Sequence, residues 1–481
     1  MKSIPAILLV CLLAMSHIAS AHSESAQAQG NSPWPTFNVE RVGWNGEVGK
    51  LPGGLTEIQV QGDYAYLGTF LSDEGMLIVD VSDPTAPVLV GNFPLEDARV
   101  ADIKVNAKGT IAVLSNEPNA IGSLITFGDS DNPANYFNGV TLVDISDKTN
   151  PQLLSRLAIT NEAGQPDGIH NIAIHGDFVY LAPDSPEVAD TPIGMIVLDI
   201  SDPGNPVEVT RTFAPNPEDL GFSSTDASPE VHLHDITIHA TAEGEVYAVL
   251  SFWDAGILIY DVTTPSEPQL VSEWRGLSPD VLNAHYTKIS PDGSLMVLGG
   301  EFPSGFTGFL TFLDVRDIRQ PKLITTWSRP GPQWLPPEFP LPLIWTYHNF
   351  SFSPDSKRLY IGLYSAGMWV LNLENPAQPQ VIGTYGPDSF ETVFEGLGVF
   401  PTTPFVWAAE VQDDLIYVSD FNSGLYILRL TEHAIADGLG HNQQESVAGL
   451  SHMANQTTDS WILSFVGLSS LLWFRWRRRR R

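Results

Sequence analysis

Thiol chemistry is almost absent from this sequence of 481 residues, which contains a single cysteine, Cys11. Cys11 lies in an opening stretch with a lysine, an apolar run and then an A-x-A pattern at 19–21. That order is typical of a secretory signal peptide at residues 1–21, with a cut as late as residue 28. Val10 is too large for a lipoprotein cleavage site, so we expect Cys11 to be removed. The mature chain then has neither disulfides nor a thiol nucleophile.

Basic residues are also scarce. The chain has 24 lysines and arginines against 56 aspartates and glutamates, a formal net charge of −32. A chain of this charge is repelled by polyphosphate backbones, so nucleic-acid binding is disfavoured. The G-x-S-x-G, phosphate-binding glycine and H-E-x-x-H motifs are missing too, which removes the commonest signatures of hydrolases, nucleotide-binding proteins and zinc proteases.

Long apolar runs are lacking except near the two ends. After a polar linker at 431–460, the C-terminal segment 461–481 reads "WILSFVGLSSLLWF" followed by "RWRRRRR". The apolar part is shorter than the roughly 20 residues of a spanning helix, and its basic end would stay cytoplasmic. A plain tail anchor is one interpretation. Linker, short apolar helix and arginine cluster also resemble the GlyGly-CTERM type of sorting signal, although the paired glycines are missing. We expect a periplasmic, secreted or cell-surface protein held at a membrane through this segment.

Glycine and proline are plentiful, with 40 and 37 residues, and they punctuate a repeat. Seven similar units contain a glycine-led strand that starts at Gly75, Gly139, Gly194, Gly256, Gly308, Gly367 and Gly424. In each unit two apolar-alternating strands precede this strand, and a proline-rich turn and a fourth strand follow it. The last unit lacks its fourth strand. Four antiparallel strands repeated at this spacing are typical of a propeller blade, so we predict an all-β, seven-bladed β-propeller over residues 36–430.

The missing strand has a candidate at the other end of the repeat region. The segment "TFNVERVGWN" at 36–45 precedes the first unit and has the pattern of an unpaired fourth strand. If it completes the seventh blade, the ring closes and no long strand edge is exposed. We therefore predict closure by an N-terminal strand.

The repeats "LIVDVSDPTAP", "TLVDISDKTNP" and "IVLDISDPGNP" closely resemble the LVIVD repeat of bacterial surface proteins, including the choice-of-anchor group. The resemblance covers roughly residues 37 to 430. It implies a β-propeller on an exported, anchored protein and says little about activity. We expect the first aspartate of each "VD-S-D-P" to cap its turn, because short acceptor side chains suit such turns.

Histidine recurs at one place in the repeats. When the units are aligned on their first strands, the first aligned position is occupied by Thr56, Ala101, His170, His234, His285, His348 and Trp407. The first strand of a blade lines the central channel, so the four histidines should converge at one mouth. Imidazole is a common transition-metal ligand. A bound transition-metal ion, hydrogen bonds to neighbouring carbonyls and metal-free acid–base catalysis all remain open.

Other residues near this mouth are candidates too. His232 should lie beside His234, whereas His239 should fall in a turn at the far end of its strand. Asp254, Glu301 and Asp420 precede glycine-led strands; they could ligate a metal or accept hydrogen bonds from the histidines.

Long loops gather on the same face, and insertions on one face of a scaffold typically mark its functional side. Trp334 and Trp345 in the loop at 328–347, together with Trp407, could hold a protein, peptide or glycan ligand. The sequence favours a binding or interaction module, because no acid, base or nucleophile can be given a role. The alternative is a metal-dependent redox or hydrolytic enzyme with its site at the histidine-lined mouth.

Overall fold

The computed structural model describes eleven stretches of the chain: residues 36–46, 48, 54–70, 73–117, 136–183, 193–215, 231–276, 283–301, 309–329, 346–387 and 404–431. The predicted signal peptide, linker and C-terminal segment lie outside these residues. The chain divides into two compact units, and the first, residues 1–328 and 343–439, contains all the strands given below. Of the second unit, 329–342 and 440–481, only Arg329 is described.

The described residues form 28 strands arranged as seven antiparallel four-stranded sheets. The N-terminal strand is β1 (Val39–Asn45). Blade 1 contains β2 (Leu55–Gln61), β3 (Tyr64–Thr69), β4 (Met76–Asp80) and β5 (Val88–Phe93); blade 2 contains β6 (Ile103–Val105), β7 (Ile111–Asn116), β8 (Gly139–Asp144) and β9 (Gln152–Ala158). Blade 3 contains β10 (Ile169–His175), β11 (Phe178–Pro183), β12 (Ile193–Asp199) and β13 (Val207–Phe213); blade 4 contains β14 (Leu233–Ala240), β15 (Val246–Phe252), β16 (Gly256–Asp261) and β17 (Gln269–Trp274).

The remaining strands continue the same order. Blade 5 contains β18 (Ala284–Ile289), β19 (Leu295–Gly300), β20 (Leu310–Asp314) and β21 (Lys322–Trp327); blade 6 contains β22 (Phe350–Phe352), β23 (Arg358–Gly362), β24 (Met368–Asn372) and β25 (Gln380–Tyr385). Blade 7 contains β26 (Val406–Gln412), β27 (Leu415–Asp420) and β28 (Gly424–Leu430), and β1 pairs with β28 as its fourth strand. The predicted seven-bladed propeller, closed by the N-terminal strand, is confirmed.

The closing strand makes the same tight contact as an ordinary fourth strand. Gly256 begins the third strand of blade 4 at φ +91°, and a Cβ there would lie 2.4 Å from the carbonyl oxygen of Trp274 on the fourth strand. Gly424 begins the third strand of blade 7 at φ +109°, and a Cβ there would lie 2.4 Å from the carbonyl oxygen of Asn45 in β1. Only glycine tolerates this backbone and this approach. The repeated glycine therefore lies where the third and fourth strands of a blade meet, both in blade 7 and in a blade whose four strands are consecutive.

The repeated aspartates cap the turn after the third strand, as predicted. In six blades a side-chain oxygen accepts a hydrogen bond of 2.8–3.1 Å from the backbone N–H two residues later. The accepting residues are Asp80, Asp144, Asp199, Asp261, Asp314 and Asn372. These Asx turns fix the path from the third to the fourth strand. The first aspartate of each "VD-S-D-P" motif therefore has a structural role in its turn.

The core lies between neighbouring blades. One apolar cluster joins blades 7 and 1 through buried residues such as Leu67, Leu77, Tyr417 and Ile427. Burial of this kind contributes about 25 cal/mol for each Å² of apolar surface removed from water, so the interface that closes the ring stabilises the fold. No helix in the described part of the chain is long and apolar enough to cross a membrane.

Two inner strands start later than the sequence frame predicts. β6 begins at Ile103 and β22 at Phe350, two residues after the aligned positions. The backbone N–H of Asp102 donates to Ser115 Oγ at 2.8 Å, and that of Asn349 donates to the Trp407 carbonyl of the next blade at 3.3 Å. These bonds replace regular ladder bonds at the start of each strand. The expectation that His239 is a turn residue is wrong, because it lies inside β14 opposite Tyr247.

Candidate metal centre

A backbone irregularity sets the direction of the inner-strand histidines. The pairing register of the inner strand shifts between Ile169 and Asn171, between Leu233 and Asp235, and between Ala284 and Tyr286. His170, His234 and His285 are the residues at these three bulges. A β-bulge leaves one residue outside the ladder and re-aims its side chain. The repeat therefore places each of these histidines at a bulge, which directs its side chain towards the channel.

The four aligned histidines lie side by side in a continuous row, which we call the histidine layer. Ring centroids are 4.5 Å apart between His170 and His234, 4.4 Å between His234 and His285, and 4.1 Å between His285 and His348. Each ring comes from a different blade, so residues up to 178 positions apart in the chain meet within one site. Of these rings, His234 and His285 bring ring nitrogens close enough to each other, and to Glu301, to share one ion.

Burial keeps three of the four imidazoles neutral. His285 is 1% exposed, and burial lowers its pKa well below the usual value, with the neighbouring histidines adding to the effect. His234 follows the same pattern. Burial lowers the pKa of His348 to about 3 despite its hydrogen bond to a backbone carbonyl. A neutral imidazole with a bare ring nitrogen is the form that binds metals.

Glu301, just after β19, brings a carboxylate against two of the rings. Its Oε2 lies 3.5 Å from His285 Nε2 and 3.8 Å from His234 Nε2, and the three groups form a compact set of possible metal ligands. Both distances are too long for good hydrogen bonds. Two ligand atoms about 2.1 Å from one ion lie at most about 4.2 Å apart. The spacing therefore suits three ligands around an ion better than direct contact.

The Glu301 carboxylate has a second partner on its other side. The hydroxyl of Tyr364 donates to Glu301 Oε1 at 3.1 Å, and the Tyr364 ring stacks on His348 with centroids 4.6 Å apart. Burial raises the pKa of Glu301 to about 7, opposed by the charge of His170 and by the Tyr364 hydrogen bond. Tyr364 thus holds one carboxylate oxygen and leaves the other directed at the histidines.

The outer two histidines are oriented by bonds on their Nδ1 atoms. His348 Nδ1 lies 2.8 Å from the carbonyl oxygen of Trp407, and His170 Nδ1 lies 3.2 Å from Oε1 of Glu117. A histidine that ligates a metal typically donates its second ring N–H to a carbonyl or carboxylate in this way. These contacts at Nδ1 fix the orientation of both rings.

Glu117 is itself held ionised inside the protein. Its side chain is 0% exposed and its Oε1 lies 2.9 Å from Nε of Arg99. Burial would raise the pKa of Glu117, but the charges of Arg99 and then His170 outweigh it, and the pKa falls to about 2. The chain of contacts Arg99–Glu117–His170 therefore presents a fixed negative charge to the first histidine.

A shared strand register explains how Glu117 and Glu301 reach the site. In each case the residue after the second strand donates its N–H to a carbonyl just ahead of the first strand, at Arg99 and Asn283. The same bond places Phe70, Trp253 and Phe421 at this position in blades 1, 4 and 7. The sequence analysis missed Glu117, Arg99 and Tyr364. Alignment on the ends of the second strands would have revealed Glu117.

The remaining predicted residues lie at varying distances from the histidine layer. His232 is 8% exposed, and its ring is 6.2 Å from His234 and 5.5 Å from Trp253. Asp254 follows Trp253 and is partly exposed. Both Asp254 and Asp420 lie one residue off the register of Glu301, and one residue reverses the direction of a strand side chain.

Asp420 and Trp407 are built into neighbouring structure. Asp420 accepts hydrogen bonds of 2.7–3.0 Å from Phe405 N, Asn422 N and Ser423 N and from Ser423 Oγ, so its carboxylate caps its own turn. Trp407 packs in the core between blades 7 and 1, with its ring 4.5 Å from that of His348. Trp334 and Trp345 lie outside the described residues.

Further along the inner strands lie six charged residues, one or three positions after the aligned position, which we call the charged layer: Glu57, Asp102, Lys104, Asp235, Lys288 and Glu410. Each of its four carboxylates accepts a hydrogen bond from a neighbouring side chain or backbone N–H. Asp102 accepts from Ile103 N at 2.7 Å and from Ile172 N at 2.9 Å, and it forms an ion pair with Lys104. Burial raises the pKa of Glu57 and that of Glu410 to about 7, in both cases against the charge of a nearby lysine.

Comparison with known families identifies the repeat. The family described as LVIVD repeat matches residues 52–94, 134–158, 169–212 and 244–275, which fall on blades 1 to 4. The chain therefore contains LVIVD repeats, as its motifs indicated. No curated protein matches the sequence.

Solved structures share the architecture at low identity. A periplasmic gluconolactonase from Pseudomonas aeruginosa, PpgL, is 12% identical over 79% of this chain and 99% of its own, with a TM-score of 0.50. The β-propeller domain of Cps50 (Swd1) from Myceliophteria thermophila is 12% identical over 79% of this chain and 100% of its own, with a TM-score of 0.48. At this identity the gluconolactonase supports the propeller fold alone.

Proposed function

We propose that this chain is an exported metal-dependent enzyme whose reaction takes place at a first-row transition-metal ion in the histidine layer. The observation that carries the proposal is the state of His285. Its side chain is 1% exposed, yet neither ring nitrogen has a hydrogen-bond partner within the described structure. Buried polar atoms almost always have a hydrogen-bond partner. A buried imidazole without one, beside a carboxylate, therefore favours a bound ligand at this place.

The donor set indicates the kind of ion. His234, His285 and Glu301 form a two-histidine, one-carboxylate set, which suits iron(II) and zinc(II). His170 and His348 stand on either side of this set, with their rings 4.5 and 4.1 Å from those of His234 and His285. Such an ion, when bound, would activate water or dioxygen at an open position. Iron or copper would assign redox chemistry to the site, and zinc would assign hydrolysis.

The binding module favoured by the sequence analysis remains a prediction. Its loops, including Trp334 and Trp345, lie outside the described residues, and no described contact argues for a protein, peptide or glycan partner. Export and membrane attachment through 461–481 rest on the sequence patterns alone. We propose them as the setting in which the metal centre works.

Metal content tests the proposal directly. The full chain is purified without chelators or a histidine tag, and its metals are measured by mass spectrometry before and after incubation with iron(II), copper(II) or zinc(II). We expect about one ion per chain in the wild type and a loss of that ion in the triple variant H234A/H285A/E301Q. The control is H175A/H239A, which removes histidines from the opposite ends of β10 and β14.

Two results would contradict the metal centre. One is a folded wild type that binds no ion after reconstitution. The other is equal metal content in the triple variant and the control, which would place the ion elsewhere. In either case the search would move to ligands of the loop face.

A further inference from the structure

Arg99 is a nearly buried cation at the entrance to the histidine layer. It lies two residues ahead of the inner-strand position that aligns with the histidines, and its residue is 9% exposed. Its guanidinium lies over the Phe70 ring, 4.1 Å from the centroid, and its Nε is 2.9 Å from Glu117. These two contacts fix the plane of the group and occupy one of its nitrogens.

The two terminal nitrogens of Arg99 are the part of the group that no described residue engages. No hydrogen bond from either of them to a described residue is present, although the group is held rigidly and almost buried. Arginine offers five N–H donors, and its outer fork matches a carboxylate with two parallel bonds. A rigid fork that lacks such a partner is suited to a ligand.

Arg156 in β9 shows what a filled fork looks like in the same protein. Its guanidinium also stacks on a phenylalanine, with Cζ 3.8 Å from the centroid of Phe137. Its two terminal nitrogens, however, donate to the two carboxylate oxygens of Asp97 at 2.9 and 2.8 Å. The two arginines share the stacking contact and differ in the carboxylate.

We infer that Arg99 is an anion subsite that binds the carboxylate of a small substrate and holds the rest of that molecule at the metal centre. The inference rests on the proposed function for its chemistry. Glu117 contacts both Arg99 and His170 and so links the two side chains. A carboxylate in the Arg99 fork therefore lies close to the His170 end of the histidine layer.

The surroundings of the Arg99 fork favour a monoanion. The Glu117 carboxylate already forms an ion pair with Arg99, so a phosphate dianion in the fork would meet stronger repulsion than a single carboxylate. A planar carboxylate also fits the guanidinium fork with two bonds.

The test is a calorimetric titration of the full chain, with and without its metal, using sodium benzoate, sodium acetate, inorganic phosphate and benzamide. Benzamide has the shape of benzoate without its charge. We expect benzoate and acetate to bind, and benzamide and phosphate to bind at least about tenfold more weakly than benzoate. R99Q should weaken benzoate about 10- to 100-fold, the range for hydrogen bonds to charged groups. R156Q, whose arginine is already paired, should match the wild type.

The outcomes separate this subsite from the metal centre. A chain that binds metal but binds benzoate equally well with and without Arg99 would overturn the subsite and leave the metal proposal standing. A chain that takes up no metal on reconstitution but shows Arg99-dependent benzoate binding would support the subsite and contradict the metal proposal. If R99Q does not fold, R99K decides, because lysine keeps the charge but loses the fork. Weaker benzoate binding in R99K supports the subsite, and unchanged binding overturns it.

Discussion

The histidine layer and the charged layer both lie on the inner strands, yet they are bonded differently. In the charged layer Asp235 accepts from Asn171 Nδ2 at 2.7 Å and Glu410 accepts from Val60 N at 2.7 Å. In the histidine layer both ring nitrogens of His285 lack a partner among the described residues. The carboxylates of the charged layer are thus hydrogen-bonded within the described structure, and the imidazole of His285 is not.

This difference separates a structural network from a binding site. A buried polar network that is satisfied internally stabilises and specifies a fold. Buried groups without partners cost free energy and persist where a ligand uses them. Under the proposed function, one layer is structural and the other binds the ion, so substitutions in the two should differ in their effect on the stability of the metal-free protein.

The largest expected effect comes from breaking the ion pair of the charged layer. D102N keeps the shape of the side chain but leaves Lys104 without its main counter-charge, and loss of one partner of a buried pair is strongly destabilising. We expect the free energy of unfolding to fall by about 3 kcal/mol, at the low end of the range because the Lys104 side chain is 25% exposed. Urea unfolding of the metal-free protein measures the change.

The matched substitution in the histidine layer is H285L. Leucine has a similar volume, and replacing a polar group that makes no hydrogen bond costs little or stabilises. We expect less than about 1 kcal/mol of change in the metal-free protein, together with loss of the metal. A loss of stability in H285L equal to that in D102N would mean that His285 belongs to a structural network, and the contrast between the layers would disappear.

The next prediction concerns how Glu410 makes the free energy of unfolding depend on pH. Because burial raises its pKa from 4.5 to about 7, the folded protein binds this proton more tightly than the unfolded chain does. The contribution of Glu410 to stability is therefore greatest below pH 4.5 and declines as the pH rises to 7. E410Q cannot titrate. Between pH 4.5 and 8 we expect its free energy of unfolding to rise by about 2 kcal/mol relative to wild type, discounted for partial exposure.

Urea unfolding at several pH values, again without metal, provides the measurement, and E374Q in an exposed turn is the control. Parallel pH profiles for the wild type and E410Q would show that Glu410 is not responsible. A relative loss of stability in E410Q at pH 8 would mean instead that its charge is needed there, as a partner of Lys288.

The fold, the four aligned histidines and Glu301 could be predicted from the sequence, because most of these features recur in the repeats. Blades, turns and the closing strand repeat or complete a repeat, so their signals accumulate over seven units. The four histidines were found in the same way, because they occupy one position in consecutive blades. Glu301 was found as an acid near a glycine-led strand, although its grouping with Asp254 and Asp420 was one residue out of register.

Arg99 and Tyr364 could not be found by repetition, because each side chain serves the site from one blade only. Glu117 occupies the same position as Glu301, directly after a second strand, where a shift of one residue turns a side chain to the opposite side. Backbone bonds such as Glu301 N to Asn283 O make that register visible. A repeat thus reveals the scaffold and the shared ligands, while the partners that orient them are individual.

The smallest expected effect sharpens the comparison within the histidine layer. Y364F removes the hydroxyl that donates to Glu301 Oε1 at 3.1 Å but keeps the ring on His348. One hydrogen bond of this kind contributes about 0.5–1.5 kcal/mol, so we expect metal affinity to fall by less than about 15-fold. The control is Y180F, since the buried Tyr180 hydroxyl has no partner in the described structure, and its removal should leave the affinity unchanged. Competition with a chelator of known affinity measures both variants.

Equal affinity in Y364F and wild type would show that Glu301 does not depend on Tyr364. A loss as complete as that in the triple variant would show that Tyr364 ligates the ion itself, because a residue that only orients a ligand weakens the site without abolishing it.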